Sequence, residues 1–272
     1  MPGRFGGAQG SASDWTGGHV TAAGVEVEQP RDGVAIVRIS NPRRLNALTG
    51  DMAVCLTSEI EMLATDSAVA AVVLTGALGA FSSGADLDML RTGIDADVMA
   101  GAFRVLSAIQ RMRQPVIAAI DGAAVGGGFG IAMGCDIRLA SPQAYFKATF
   151  IEMGLIPDYG LCWSLPRFAG YDAALEMLLT GRTVSAEEAQ TLGLVTRICP
   201  EPLADAVALA AGIAQRSRAA VARTKRHLQR GAAGDLASVL VAEVAEQHEL
   251  LTSADFSTRL AAWRARVRNQ TG

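Results

Sequence analysis

The sequence predicts an α/β architecture, and three observations carry that prediction. Ala68 to Leu74 and Pro115 to Ile120 are almost unbroken apolar runs, as strands buried on both faces of a parallel sheet require. Each run passes into a loop of small residues and then into a stretch with helical periodicity, which is the order of a crossover connection. From about Pro202 onward no convincing strand remains, so a helical region closes the chain.

The elements follow in order. Val25-Glu-Val-Glu alternates, Pro30-Arg-Asp-Gly33 is turn-like, and Val34 to Ser40 reads as a strand, so the pair suggests a hairpin. Asn41-Pro42 breaks it. Thr49 or Asp51 caps a helix to about Ala64, with Met52, Leu56, Ile60 and Leu63 on one face. Ala68 to Leu74 is the first buried strand, and Phe81-Ser-Ser-Gly-Ala-Asp86 is a loop. A long amphipathic helix spans Asp95 to Arg113. Pro115 to Ile120 is the next buried strand, and it enters Asp121-Gly-Ala-Ala-Val-Gly-Gly-Gly-Phe-Gly130. A helix-like run leaves that stretch from Ile131, and Asp136 to Ala140 returns to a short strand. Ala204 to Ser217, Ala219 to Gly231 and Leu236 to Ala265 are helical. The expected division is a disordered tail over 1–20, a core over 21–200 and a helical region over 201–272.

Composition excludes several classes. With 272 residues and 50% hydrophobic content, the chain can bury one large core. A net charge of −3 gives no basic footprint for nucleic acid. Cys55, Cys135, Cys162 and Cys199 lack paired spacing, and His19, His227 and His248 lie far apart, so neither a disulfide framework nor a metal site is expected. No apolar run reaches the ~18 residues of a membrane span. Met1 to Gly18 is rich in Gly and Ser without an apolar segment, which fits no secretory signal; a cytoplasmic location is expected.

Three consecutive glycines, Gly126 to Gly128, stand where a strand hands over to a helix. Each costs backbone entropy on folding, so they make sense where something approaches the backbone closely. Unpaired N–H groups at a helix start suit a phosphate or a developing oxyanion. Dinucleotide binding fits poorly, because neither Gly126-x-Gly128 nor Gly128-x-Gly130 continues with the required small residue. No Gly-x-Ser-x-Gly elbow is present for a serine hydrolase. A third reading takes one donor from the glycine stretch and the other from Ser83-Gly84-Ala85-Asp86. Both loops follow buried strands, so both can lie at one sheet edge and hold a carbonyl oxygen; two ordinary tight turns remain the alternative at this point.

Several blocks in order resemble the crotonase, or enoyl-CoA hydratase/isomerase, superfamily. They are Asn41-Pro-Arg-Arg-Leu-Asn-Ala-Leu48, Phe81-Ser-Ser-Gly-Ala-Asp-Leu87, Asp121 to Gly128 with Cys135-Asp-Ile-Arg-Leu-Ala140, and Gly154-Leu-Ile-Pro-Asp158. Leu165-Pro-Arg167, Leu178-Leu-Thr-Gly-Arg182, Ser185-Ala-Glu-Glu-Ala189 and Gly193-Leu-Val195 continue the pattern. The resemblance implies a spiral of ββα units with a C-terminal helical region that mediates trimers, often paired into hexamers. It implies an acyl-CoA thioester as substrate and no cofactor beyond the coenzyme A that the substrate carries. It assigns the oxyanion donors to the amides of Ala85 and Gly127. It places Arg44 near the phosphates of coenzyme A, Lys225 toward the nucleotide, and the backbone of Ser83 and Leu87 along the adenine and pantetheine path.

The sequence departs from the resemblance at the carboxylates. Family hydratases place two glutamates where this chain has Gly130 and Phe150, so a pair that positions and activates water is missing. Asp158, directly after Pro157, matches an arrangement in some isomerases, where one carboxylate moves a proton between two carbons. A solvated aspartate in a Pro-Asp-Tyr-Gly turn is the bland alternative, and Glu152 is a reserve candidate expected at the surface. The leading expectation is therefore an enoyl-CoA isomerase acting through Asp158. Hydration or thioester hydrolysis with a displaced carboxylate, and an inactive acyl-CoA-binding homologue, are the alternatives.

Overall fold

A computed structural model describes residues 18–20, 24–93, 95–231 and 234–271 of the chain. Its centre is a seven-stranded sheet. The strands are β1 (Gly18–Val20), β2 (Val25–Arg31), β3 (Val34–Ile39), β4 (Ala71–Gly76), β5 (Val116–Ile120), β7 (Ile137–Ala140) and β10 (Arg197–Ile198), side by side in that order. The hairpin β2–β3 is antiparallel, as is β1–β2, and every pair from β3 to β10 is parallel. Part of the expected tail is thus a strand, since Gly18–Val20 pairs with Glu26–Glu28. The rest of it lies outside the described residues.

The apolar runs are continuous because both faces of the sheet are covered. Val72, Leu74, Val116, Ala118 and Ile120 point into a core shared with α1 (Gly50–Thr65) and α3 (Ala96–Arg111). The alternate residues Ile36, Ala71, Val73, Ile117 and Ala119 point the other way, against Ala206 and Ala210 of α8 (Pro202–Ala214). The first helix after the expected boundary at residue 200 therefore belongs to the core. Thr49 caps α1 by accepting from the Met52 amide at 3.2 Å, and Asp95 caps α3 by accepting from Asp97 at 2.8 Å.

A second, three-stranded sheet is built from β6 (Ala123–Val125), β8 (Tyr145–Lys147) and β9 (Thr183–Ser185). Helix α4 (Gly127–Gly134) packs against β6, α3 and α5 (Leu161–Ala169), buried along its whole length, with Phe129 against Phe146 at 5.3 Å. The helix begins inside the glycine run, earlier than Ile131. Glycines permit this, since Gly126 takes φ 55° as the N-cap and Gly128 lies where a Cβ would meet the Ser82 carbonyl oxygen at 2.5 Å. After α5, α6 (Tyr171–Thr180) and α7 (Ala186–Thr191), the chain reaches α8, then α9 (Arg218–Gly231), α10 (Leu236–Leu251) and α11 (Ala254–Thr271). α10 packs on α9, where Glu246 pairs with Arg226 at 2.6 Å and Glu249 with Arg223 at 2.7 Å. No residue of α10 is buried. Among the described residues no helix is long and apolar enough to cross a membrane.

Candidate active site

Three segments lie side by side at the carboxyl end of the parallel strands. The loop 82–86 after β4 is the middle one. On one side it pairs with the segment after β3: Leu48 donates to the Gly84 carbonyl at 2.7 Å, and Asp86 donates to the Leu48 carbonyl at 2.9 Å. On the other side it pairs with β6: Ser82 donates to Ala123 and Val125 donates to Ser82, both at 2.9 Å. These bonds use the groups flanking Ala85 and leave its N–H outside the ladder.

Asn46 holds this ribbon in place. It is fully buried, adopts φ 58°, and donates through Nδ2 to the carbonyls of Ala77 and Ala80 at 2.7 Å each. Its Oδ1 accepts from the Asn41 amide at 2.9 Å, and its carbonyl accepts from the Ser82 hydroxyl at 2.8 Å. Asparagine tolerates the left-handed region better than most residues, and here its bonds tie the ribbon to Asn41 and to the turn at 77–80. The sequence marks it only as one letter of a block.

The ribbon brings the two expected donors together. Gly84 sits at φ 92°, and a Cβ there would meet the Gly127 nitrogen at 3.2 Å and the Val125 oxygen at 2.8 Å. The loop bearing Ala85 thus touches the first residue of α4. Gly127 N–H is one of the unpaired amides of a helix start, where partial positive charge accumulates. Two amides on neighbouring backbone segments, without side chains between them, suit a carbonyl oxygen that gains charge.

The acid/base candidate stands on the connection from β8 to α5. Asp158, Tyr159, Gly160 and Leu161 form a tight turn: Leu161 donates to the Asp158 carbonyl at 3.1 Å, with φ 44° at Tyr159 and 68° at Gly160. The turn composition is as the sequence suggests, but the carboxylate is only partly solvated. Asp158 Oδ1 is buried and has no hydrogen-bond partner. Burial pushes the carboxyl up to about 6, against a weaker opposing effect from its own backbone amide.

The places of the two absent glutamates are filled. A Cβ at Gly130 would collide with the Tyr159 Cβ and lie 2.8 Å from its carbonyl oxygen. Phe150 is buried, and its ring edge comes within 3.9 Å of a Cβ built on Gly126. Glu152 points to the surface and pairs with Lys147 at 2.9 Å.

The expected coenzyme A residues are placed less uniformly. Ser83 and Leu87 lie on the exposed side of the ribbon, where the Ser83 hydroxyl donates to the Arg44 carbonyl at 2.9 Å. Arg44 is bound to carboxylates, meeting Asp86 through Nη1 at 2.9 Å and Asp88 through Nη2 at 2.7 Å, and these partners raise its pKa further. Lys225 departs from the expected reach toward a nucleotide. It is buried, and its three donors go to the Ile109 and Gln114 carbonyls at 3.1 Å each and to Asp136 at 2.7 Å. A lysine on an amphipathic helix reads as solvated; only the fold puts three acceptors around it. A large cavity, about 820 Å³, lies beside this pair among α3, α5, α8 and α9, and neither Ala85 nor Gly127 lines it. Backbone geometry, rather than cavity size, locates the site.

Comparison with known proteins agrees with this geometry. The enoyl-CoA hydratase/isomerase family model matches residues 29–268. A probable enoyl-CoA hydratase of Mycobacterium bovis is 40% identical over 257 residues, covering 89% of this chain and 90% of that protein. A 4-chlorobenzoyl coenzyme A dehalogenase of an Arthrobacter species is 33% identical, covering 86% and 88%. The crystal structure of an enoyl-CoA hydratase from Mycobacterium smegmatis superimposes with a TM-score of 0.83 at 30% identity, covering 89% of this chain and 96% of that one. The fold, the paired loops and these matches lead to one assignment: the chain belongs to the enoyl-CoA hydratase/isomerase family, within the crotonase superfamily.

Proposed function

We propose that the protein shifts the double bond of an enoyl-CoA thioester, with Asp158 as the single acid/base. The amides of Ala85 and Gly127 hold the thioester oxygen. The Asp158 carboxylate takes a proton from the α-carbon, the electron pair spreads through the C=C bond and onto that oxygen, and the protonated carboxyl returns the proton at the far end of the dienolate. Electrons and protons balance within the substrate, so no cofactor enters beyond the coenzyme A it carries.

The observation that carries this reading is one half-buried aspartate with a pKa near 6, whose Oδ1 is buried without a hydrogen-bond partner, beside positions where a second carboxylate is sterically replaced. A base with a pKa near the working pH is well suited to proton transfer. Arg44, Ser83, Leu87 and Phe150 are proposed to border the substrate, and Lys225 is proposed to be a structural anchor. Asp158→Asn is expected to abolish isomerisation of a 3-enoyl-CoA while leaving acyl-CoA binding intact; full activity in that variant overturns the assignment.

Hydration is the second reading, favoured by the names of several relatives. It requires Glu152 to leave Lys147 and turn inward. Loss of conjugated absorbance on incubation with crotonyl-CoA would establish it. The dehalogenase among the relatives adds one further activity to assay, chloride release from 4-chlorobenzoyl-CoA. We propose further that the chain assembles as a homotrimer, or as a hexamer of two trimers, through α9 to α11.

A further inference from the structure

Tyr159 is used by none of the steps above, yet the backbone bends to place it. A bulky residue at φ 44° is an outlier that costs of the order of 1–3 kcal/mol and persists only where its surroundings enforce it. The surroundings here are two glycines. The Tyr159 Cβ lies against Gly130, and its ring passes Gly127 with Cε2 2.8 Å and Cζ 3.7 Å from where a Cβ would be. Gly130 and Gly127 are one turn apart on a single face of α4. The ring therefore runs along the helix toward its N-terminal end, and Cζ, which bears the hydroxyl, lies at the Gly127 end. Phe103 supports the ring edge-on at 4.9 Å. Tyr159 as a whole is 9% exposed, and its hydroxyl makes no hydrogen bond among the described residues. The hydroxyl is not buried with the ring but opens to solvent, and a donor held in place and open beside the Gly127 amide is accessible to a group that arrives with the substrate.

We propose that the Tyr159 hydroxyl is a third hydrogen-bond donor of this site, given to the thioester group of the bound acyl-CoA beside the Gly127 amide. This rests on the acyl-CoA enolate reading above. Burial, and the neighbouring Asp158 carboxylate, push the phenol well above its usual range, so it keeps its proton and remains a donor while Asp158 titrates. The ring also accounts for the glycines, because a side chain at 127 or 130 would displace it. The same volume excludes a second carboxylate at position 130.

The test uses the full chain and Tyr159→Phe, which keeps the ring and removes only the hydroxyl. Difference infrared spectra of bound butyryl-CoA labelled at the thioester carbonyl report hydrogen bonding directly, without turnover. The expected result is a carbonyl band in Tyr159→Phe displaced from the wild-type position toward that of free butyryl-CoA. Isomerase kcat should fall roughly tenfold or more with KM nearly unchanged, since losing one preorganised oxyanion donor typically costs at least that. An unshifted band together with kcat within about twofold of wild type overturns the inference. Asp158→Asn in parallel separates the two claims: its band should stay at the wild-type position while its turnover is lost. If Asp158→Asn retains turnover, the acid/base assignment falls, and the Tyr159 band still decides the donor.

Discussion

At the residue scale the proposed chemistry turns on one carboxyl group whose charge is costly. Its pKa of about 6 lies above the ordinary aspartate value of 3.8, so the folded state binds this proton more tightly than the unfolded chain does. Stability from this group is fully present below about pH 4 and is lost as pH rises through 6. Catalysis has the opposite sense, because the base form must be ionised. The kcat/KM profile should therefore rise with pH through about 6 and level off above it. Asp158→Asn removes the unpaired charge, so it should unfold later than wild type at pH 8, by on the order of 1–2 kcal/mol after allowance for partial exposure, and alike at pH 4. Denaturant titrations at the two pH values check this, and equal gains at both would contradict it. Asp158 is legible in sequence as a candidate because it follows a proline in a recognisable block. The apolar Phe150 and Leu155 nearby in sequence point to its desolvation, while the extent of it depends on the fold.

At the element scale α4 is the crowded centre, and its glycines divide by what they touch. Gly130→Ala should cost about 1–3 kcal/mol, because the new methyl meets Tyr159 backbone as well as its Cβ and nothing flexible can yield. Gly212 is the control. It sits in the interior of α8 with no atom within 4 Å of the position a methyl would take, so Gly212→Ala should gain about 0.5–1 kcal/mol from helix propensity. Urea midpoints of the two variants should move in opposite directions. The buried strands β4 and β5, the hairpin and the helices α1 and α3 could be read from hydrophobic period alone, because both faces of β4 and β5 are covered, whereas the short edge strands β1 and β10 could not. The start of α4 could not, since a run of glycines has no periodicity. Nor could the role of α8, whose Ala206 and Ala210 look like any other alanines until the second face of the sheet is known to need cover.

At the scale of the whole molecule the C-terminal helices leave apolar surface in water. Leu236, Val241 and Val244 of α10 are 73%, 73% and 72% exposed, and Trp263 of α11 is 58% exposed. Several large apolar side chains exposed on two neighbouring helices are what the proposed assembly would cover. Under the proposed assembly, Val241→Asp with Val244→Asp should reduce the sedimenting species to a single chain. An unchanged mass would remove α10 from the interface. The anchor of this arm is the Lys225–Asp136 pair, where Asp136 also accepts from the Val116 amide at 2.7 Å. Lys225→Met strands a largely buried carboxylate and should cost about 3–5 kcal/mol, whereas a surface lysine would cost almost nothing. Thermal unfolding distinguishes the two. The family blocks made the fold and the paired loops legible, but a lysine serving three acceptors from elements about a hundred residues away in sequence is visible only in three dimensions.

The ribbon of residues 45–48, 82–86 and 123–125 has a consequence for redesign. It carries the Ala85 amide and abuts that of Gly127, held by main-chain bonds and by the side chains of Asn46 and Ser82, and the proposed acid group arrives on a separate turn between β8 and α5. Under the proposed roles, the backbone amides that hold the oxygen sit on one module, and Asp158 and Tyr159 on another. A library confined to positions 157 and 158 would sample new proton placements while the ribbon and the Tyr159 ring stay put.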